Sequence, residues 1–153
     1  MNTPQAAPRA AYLLTAAMAD NTHQTGAIVA GDDMSTEWGG YDQSAQRDIL
    51  AALGEQTRVA LTMLRDKLGA EIDMDWDSTA RVVCSEALAA ARELVRPQPG
   101  EWSAPECAHC REVIAKAMCS LQIQAYFRLG FTPVMIAAKC RQSADEPESS
   151  PRP

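Results

Sequence analysis

The segment from Trp102 to Gly130 constrains the fold most, because both ends of a helix are written into it. Ser103 followed by Glu106 is a capping box: the hydroxyl accepts from a first-turn N–H and the carboxylate reaches back to the N–H of the cap. Pro105 suits that first turn, where its missing N–H costs no hydrogen bond. Trp102, one residue before the cap, is spaced to close over Cys107 as a hydrophobic staple. Cys107, Cys110, Ile114, Ala117, Leu121, Ala125 and Leu129 then recur at intervals of three and four, the period of one helix face. Gly130 ends the pattern, as the residue type most often found just past a helix. A chain with one such stripe must bury it against other helices.

Partners for that helix follow from the rest of the chain. Residues 10–18, AAYLLTAAM, predict a short first helix anchored by Tyr12, Leu13, Leu14, Ala17 and Met18. Asp42 or Ser44 caps a long helix reaching about Leu68, with the stripe Ile49, Leu53, Ala60, Met63, Leu64 and Leu68 interrupted by Gln56 and Thr57. A third long helix spans 78–96 and is stopped by Pro97 and Pro99. Phe131-Thr132-Pro133 repeats the order of staple, cap and first-turn proline, and opens a short helix ending near Arg141. Few aromatic residues and many alanines favour close-packed helices over a sheet. The expectation is an all-α fold, a compact helical bundle of three long and about two short helices. Residues 1–9 form a flexible N-terminal arm, 10–142 a single helical domain with an irregular acidic loop region over 20–43, and 143–153 a disordered tail.

No apolar run approaches the ~20 residues that cross a bilayer, and MNTPQAAPR lacks the charged start and apolar centre of a secretory signal. Five cysteines without framework spacing suit reduced thiols. The expected location is therefore cytoplasmic, with no membrane partner. No phosphate-cradling glycine motif, G-x-S-x-G or H-E-x-x-H occurs, and two histidines supply a conventional acid–base site poorly, which argues against an enzyme of that kind.

The net charge of −6 is unevenly spread. Residues 20–77 hold twelve acids against four bases, whereas 78–142 hold eight bases against five acids. Such a split can orient a charged partner. Trp38 and Tyr41 flank two glycines in the acidic loop, a turn that either folds both rings down on one helix or exposes them as a contact, and Asp73, Asp75 and Trp76 lie in EIDMDWD, all outside the predicted helical core. That segment lacks the mid-loop glycine and terminal glutamate of a calcium loop. The leading expectation is a small non-enzymatic helical protein that binds another macromolecule, a protein partner above all, through Trp38, Tyr41, Asp73, Asp75 and Trp76.

Two alternatives rest on other residues. Cys107 and Cys110 form a C-x-x-C at a helix start, where the macrodipole lowers a thiol pKa and His109 between them adds to the effect when protonated. The pair fits thiol-redox chemistry or half of a structural zinc site, while two small apolar core residues are the blander account. No cofactor is otherwise indicated. Residues 122–141 read like the turn and second helix of a helix-turn-helix, with Arg128, Lys139 and Arg141 as candidate nucleic-acid contacts.

Overall fold

The computed structural model describes residues 6–28, 31–68 and 107–145. Among the described residues there are five α-helices and no strand: α1 (Ala6–Thr25), α2 (Asp32–Gly39), α3 (Gln43–Leu68), α4 (Ala108–Arg128) and α5 (Pro133–Asp145). The all-α expectation holds. The predicted helix over 78–96 lies outside the described residues.

Helix α4 is the central element, buried on almost every side. Val113, Ile114, Ala117, Met118, Leu121, Ile123 and Ala125 are all in the core, and so are the polar Arg111 and Gln122. A helix buried all round needs apolar or small residues on every face, which the alanines and cysteines of α4 supply. Each fully buried Leu or Ile contributes about 1.5–3 kcal/mol of transfer free energy. Helix α3 runs parallel to α4: Arg111 Nε donates to Gln46 Oε1 at 2.8 Å, Gln122 Nε2 to Thr57 Oγ1 at 3.1 Å, and Lys67 Nζ to the Leu129 carbonyl at 3.1 Å. Low pairs with low and high with high, so the two helices share a direction. On the other side α5 lies antiparallel along α1, with Arg9 near Asp145 (3.8 Å) and Asp20 bonded to Arg141.

Helix ends follow their sequence signals where the cap is chemical. The Asp42 carboxylate accepts the Ala45 N–H at 2.8 Å, which decides between Asp42 and Ser44 as the cap of α3. Thr132 Oγ1 accepts from Met135 N at 3.2 Å, with Pro133 as the first residue of α5. Between α4 and α5, Gly130 takes φ +98°, its N–H bonds Phe127 O at 3.0 Å, and Phe131 N–H bonds Tyr126 O at 2.9 Å. Those two bonds define a Schellman motif, and its apolar contact is the Tyr126–Phe131 ring pair, with centroids 5.3 Å apart.

Elsewhere the predicted boundaries need correction. Helix α1 extends beyond 10–18 in both directions, so residues 6–9 are helical and not part of a loose arm. Pro8 is tolerated because it falls in the first turn; Thr22, buried further along, returns its hydroxyl to Met18 O at 2.8 Å, and Gly26 (φ +79°) closes the helix. The stretch 20–43 is not irregular throughout, since it holds the end of α1 and all of α2. Helix α5 reaches Asp145 and buries Ala144, so 143–145 belong to the bundle. In α3, Gln56 and Thr57 do not interrupt the buried face. Thr57 donates to Leu53 O at 2.7 Å while accepting from Gln122, and Gln56 Nε2 reaches Pro8 O at 3.1 Å. Met63, expected in the stripe, is exposed instead.

Candidate functional site

The site with chemistry is the open end of α4. The helix starts at Ala108, and Cys107 before it is extended (φ −73°, ψ 123°) and serves as the N-cap. Its carbonyl takes the first helical hydrogen bond, from Arg111 N–H at 3.1 Å. The capping-box expectation placed Cys107 inside the helix on the buried stripe. With an extended backbone it cannot be there: Cys107 and His109 are exposed, Cys110 is half-buried, and the stripe begins deeper, at Ile114. Trp102, Ser103, Pro105 and Glu106 lie outside the described residues.

This geometry alters the Cys107 thiol. Its pKa is held below the ordinary cysteine value, chiefly because the Cys110 backbone N–H donates to the sulfur and the Cys110 thiol does so next. The His109 N–H and the positive Arg111 act in the same direction against a desolvation penalty. All of these stabilise the thiolate, the form that attacks disulfides and electrophiles. Positions three apart at a helix start have Cα atoms about 5 Å apart from the helical rise and radius. A disulfide spans roughly 4.4–6.8 Å between Cα atoms, a range that includes such a separation. An exposed first thiol that accepts from its neighbour can attack, and a half-buried second thiol can resolve.

Arg111, the residue after Cys110, is only 4% exposed although charged. Gln46 on α3 receives its Nε–H and spends its own amide on the carbonyls of Trp38 and Tyr41, both at 3.1 Å. Neither Gln46 nor Arg111 figured among the sequence-based site residues. The available signal was an arginine directly after the C-x-x-C, but a partner 65 residues away is not readable from periodicity.

Trp38 is 2% exposed and belongs to the core, and Tyr41 is half-buried against it with its hydroxyl pKa pushed up, first by burial and then by Glu37. The two rings therefore anchor the α2–α3 turn, and Trp38 offers no contact surface. Asp73, Asp75 and Trp76 lie outside the described residues. Arg128 is exposed, Lys139 is half-buried, and Arg141 is committed to Asp20 across the α1–α5 contact. Arg128 closes α4, whereas Lys139 and Arg141 stand on α5, which lies chiefly along α1. Among the described residues no group of three or more His, Cys, Asp or Glu side chains converges as a metal site, and no helix is long and apolar enough to cross a membrane.

No protein-family model matches the chain, and neither a similar curated protein nor a similar solved structure was found.

Proposed function

We propose that this is a helical dithiol protein in which Cys107 and Cys110 cycle between two thiols and an intramolecular disulfide by exchange with a disulfide-bearing partner. One observation carries the reading: Cys107 is exposed at the N-cap of α4 while the N–H and thiol of Cys110 both donate to its sulfur. In the exchange, the Cys107 thiolate attacks one sulfur of the partner disulfide, forming a mixed disulfide and releasing one thiolate. Cys110 then gives up its proton to solvent and attacks the Cys107 sulfur, closing the intramolecular bond and expelling the second thiolate. Two protein thiols are oxidised and one disulfide is reduced to two thiols.

Incubating the native protein with oxidised glutathione, quenching with acid and mapping peptides by mass tests the proposal. The wild type is expected to carry a Cys107–Cys110 bridge, Cys110→Ser to stop at glutathionylated Cys107, and Cys107→Ser to lose both products. A wild-type pair that stays reduced across oxidising glutathione ratios would sink it.

A second reading, protein binding without thiol chemistry, is favoured by the α4–α5 corner. Phe127, Val134 and Met135 are 37%, 54% and 49% exposed there, an apolar surface better suited to a protein partner than to phosphates. Partner capture that survives Cys107→Ser but is lost in Val134→Asp would select this reading over exchange.

A further inference from the structure

We propose that Gln46 is a positioning residue of the Cys107–Cys110 site, holding the Arg111 guanidinium in place at the start of α4 from across the α3–α4 interface. The inference rests on the dithiol reading and assigns part of that site to a helix far away in the chain.

Hydrogen-bond capacity fixes the geometry. A glutamine amide has two N–H donors and one carbonyl acceptor. Gln46 Nε2 serves the carbonyls of Trp38 and Tyr41, which terminate α2 and lead into α3, so its orientation is set by two acceptors that cannot be exchanged for donors. Its Oε1 therefore faces Arg111 and receives the Nε–H at 2.8 Å. The guanidinium is buried and its plane is held from the Nε side, while its backbone N–H is bonded to Cys107 O at 3.1 Å. Both ends of Arg111 are thus tied, one to the motif and the other to the α2–α3 turn through Gln46. The Trp38 ring at that turn is seated in the core. The donors from Cys110 and His109 are the larger influences favouring a thiolate at Cys107, and the cation so placed adds to them. Gln46 reaches this set from α3 as a neutral amide, so it orients the guanidinium and adds no charge of its own.

Because Gln46 acts through Arg111, the two should behave as a unit. The test is a double-mutant cycle on the full chain with Gln46→Met, Arg111→Met and the combination, each first shown to be folded by helical circular dichroism. The readout is the iodoacetamide rate at Cys107 from pH 6 to 10, measured by peptide mass. Each single variant is expected to slow alkylation at pH 7 about two- to fivefold, the size of a screened charge effect at an exposed thiol, and to move the pH midpoint upward. The double variant is expected to be no slower than Arg111→Met alone, and Arg111→Lys to recover part of the rate. If Gln46→Met does not fold, Gln46→Glu replaces it: the added carboxylate opposes the guanidinium, and the rate is again expected to fall. An unchanged rate and midpoint in the folded Gln46 variant, or losses that multiply in the double variant, would overturn the positioning role. Failure of the wild type to form the glutathione-driven disulfide would overturn the dithiol reading itself, whatever the cycle gives.

Discussion

Two pairs of cysteines in this molecule have the same side chain and opposite chemistry. Cys107 and Cys110 stand at the open end of α4, where the N–H and thiol of Cys110 above all bring the Cys107 pKa down. Cys119, three turns further along the same helix, and Cys140 on α5 are buried, and burial pushes their pKa values up to about 12 and about 11. Thr15 Oγ1 lies 3.4 Å from the Cys119 sulfur, but also 3.3 Å from the Ala11 carbonyl, and its one proton cannot serve both. The desolvation of Cys119 therefore prevails. Position along one helix, and not residue type, decides which thiol is a reagent and which is a small apolar filler.

Differential alkylation gives the largest expected contrast. At pH 8 a thiol of pKa about 12 is ionised in only about one molecule in ten thousand, and one of pKa about 11 in about one in a thousand. Burial adds a second barrier, because the reagent reaches these sulfurs only through opening of the bundle. In the native protein Cys107 is expected to react first and Cys110 more slowly. Cys119 and Cys140 should stay unmodified until denaturant is added, a difference of at least about a thousandfold in rate. Native-state labelling of Cys119 on the timescale of Cys107 would erase the distinction.

The comparison can also be broken from the core side. Leu121 is fully buried two residues after Cys119. Leu121→Ala removes its methyl groups and leaves a cavity, with an expected cost of about 2–5 kcal/mol in urea unfolding. Protection of Cys119 should fall with stability, since its reaction requires opening, while the Cys107 rate should hardly move, since that end is already open. A matching change in both rates would mean that the helix start and its middle open together.

How much of this was legible follows from where each signal resides. Cap chemistry was local and could be read: Thr132-Pro133 and Gly130 stand where the sequence put them, and Asp42 proved the better of two candidates. The aliphatic stripe of α4 from Ile114 to Ala125 was legible for the same reason, since a 3.6-residue period reports burial directly. What failed was context. The same period drew Cys107 into the stripe, because spacing cannot tell the last extended residue from the first helical one. For Trp38 two readings were open, a ring folded down at a glycine turn or an exposed contact, and α2 turns the ring into the core. Gln56 and Thr57 looked like breaks in a stripe because their partners, Pro8 and Gln122, are remote in sequence. The site shared this mixture: the dithiol was visible, whereas Gln46 and the burial of Arg111 depend on the parallel pairing of α3 with α4.

The smallest effect concerns pH, and its sign sharpens the contrast between the two thiol pairs. Cys119 has an ordinary pKa of 9.0 when unfolded and about 12 when folded, so between those values the native state keeps a proton that the unfolded state has lost. Stability then falls as pH rises, because the unfolded state binds fewer protons. The contribution is fully present below pH 9 and is lost progressively toward pH 12; Cys140 and Tyr126, raised to about 11 and about 12, act in the same direction. At pH 10 one such group costs about 1 kcal/mol. Cys119→Ala removes one of the three, so its stability should decline less between pH 7 and pH 10 than that of the wild type, by about that amount, even if the variant is weaker at pH 7 from lost packing. Cys107→Ala should make the alkaline decline steeper than that of the wild type, since a thiol pKa lowered by the fold works in the opposite sense to the raised ones. Parallel urea titrations of the two variants at pH 7 and pH 10 measure both slopes. Equal slopes in the two variants would show that the buried sulfur is not held neutral by the core, and that the two ends of the comparison are alike.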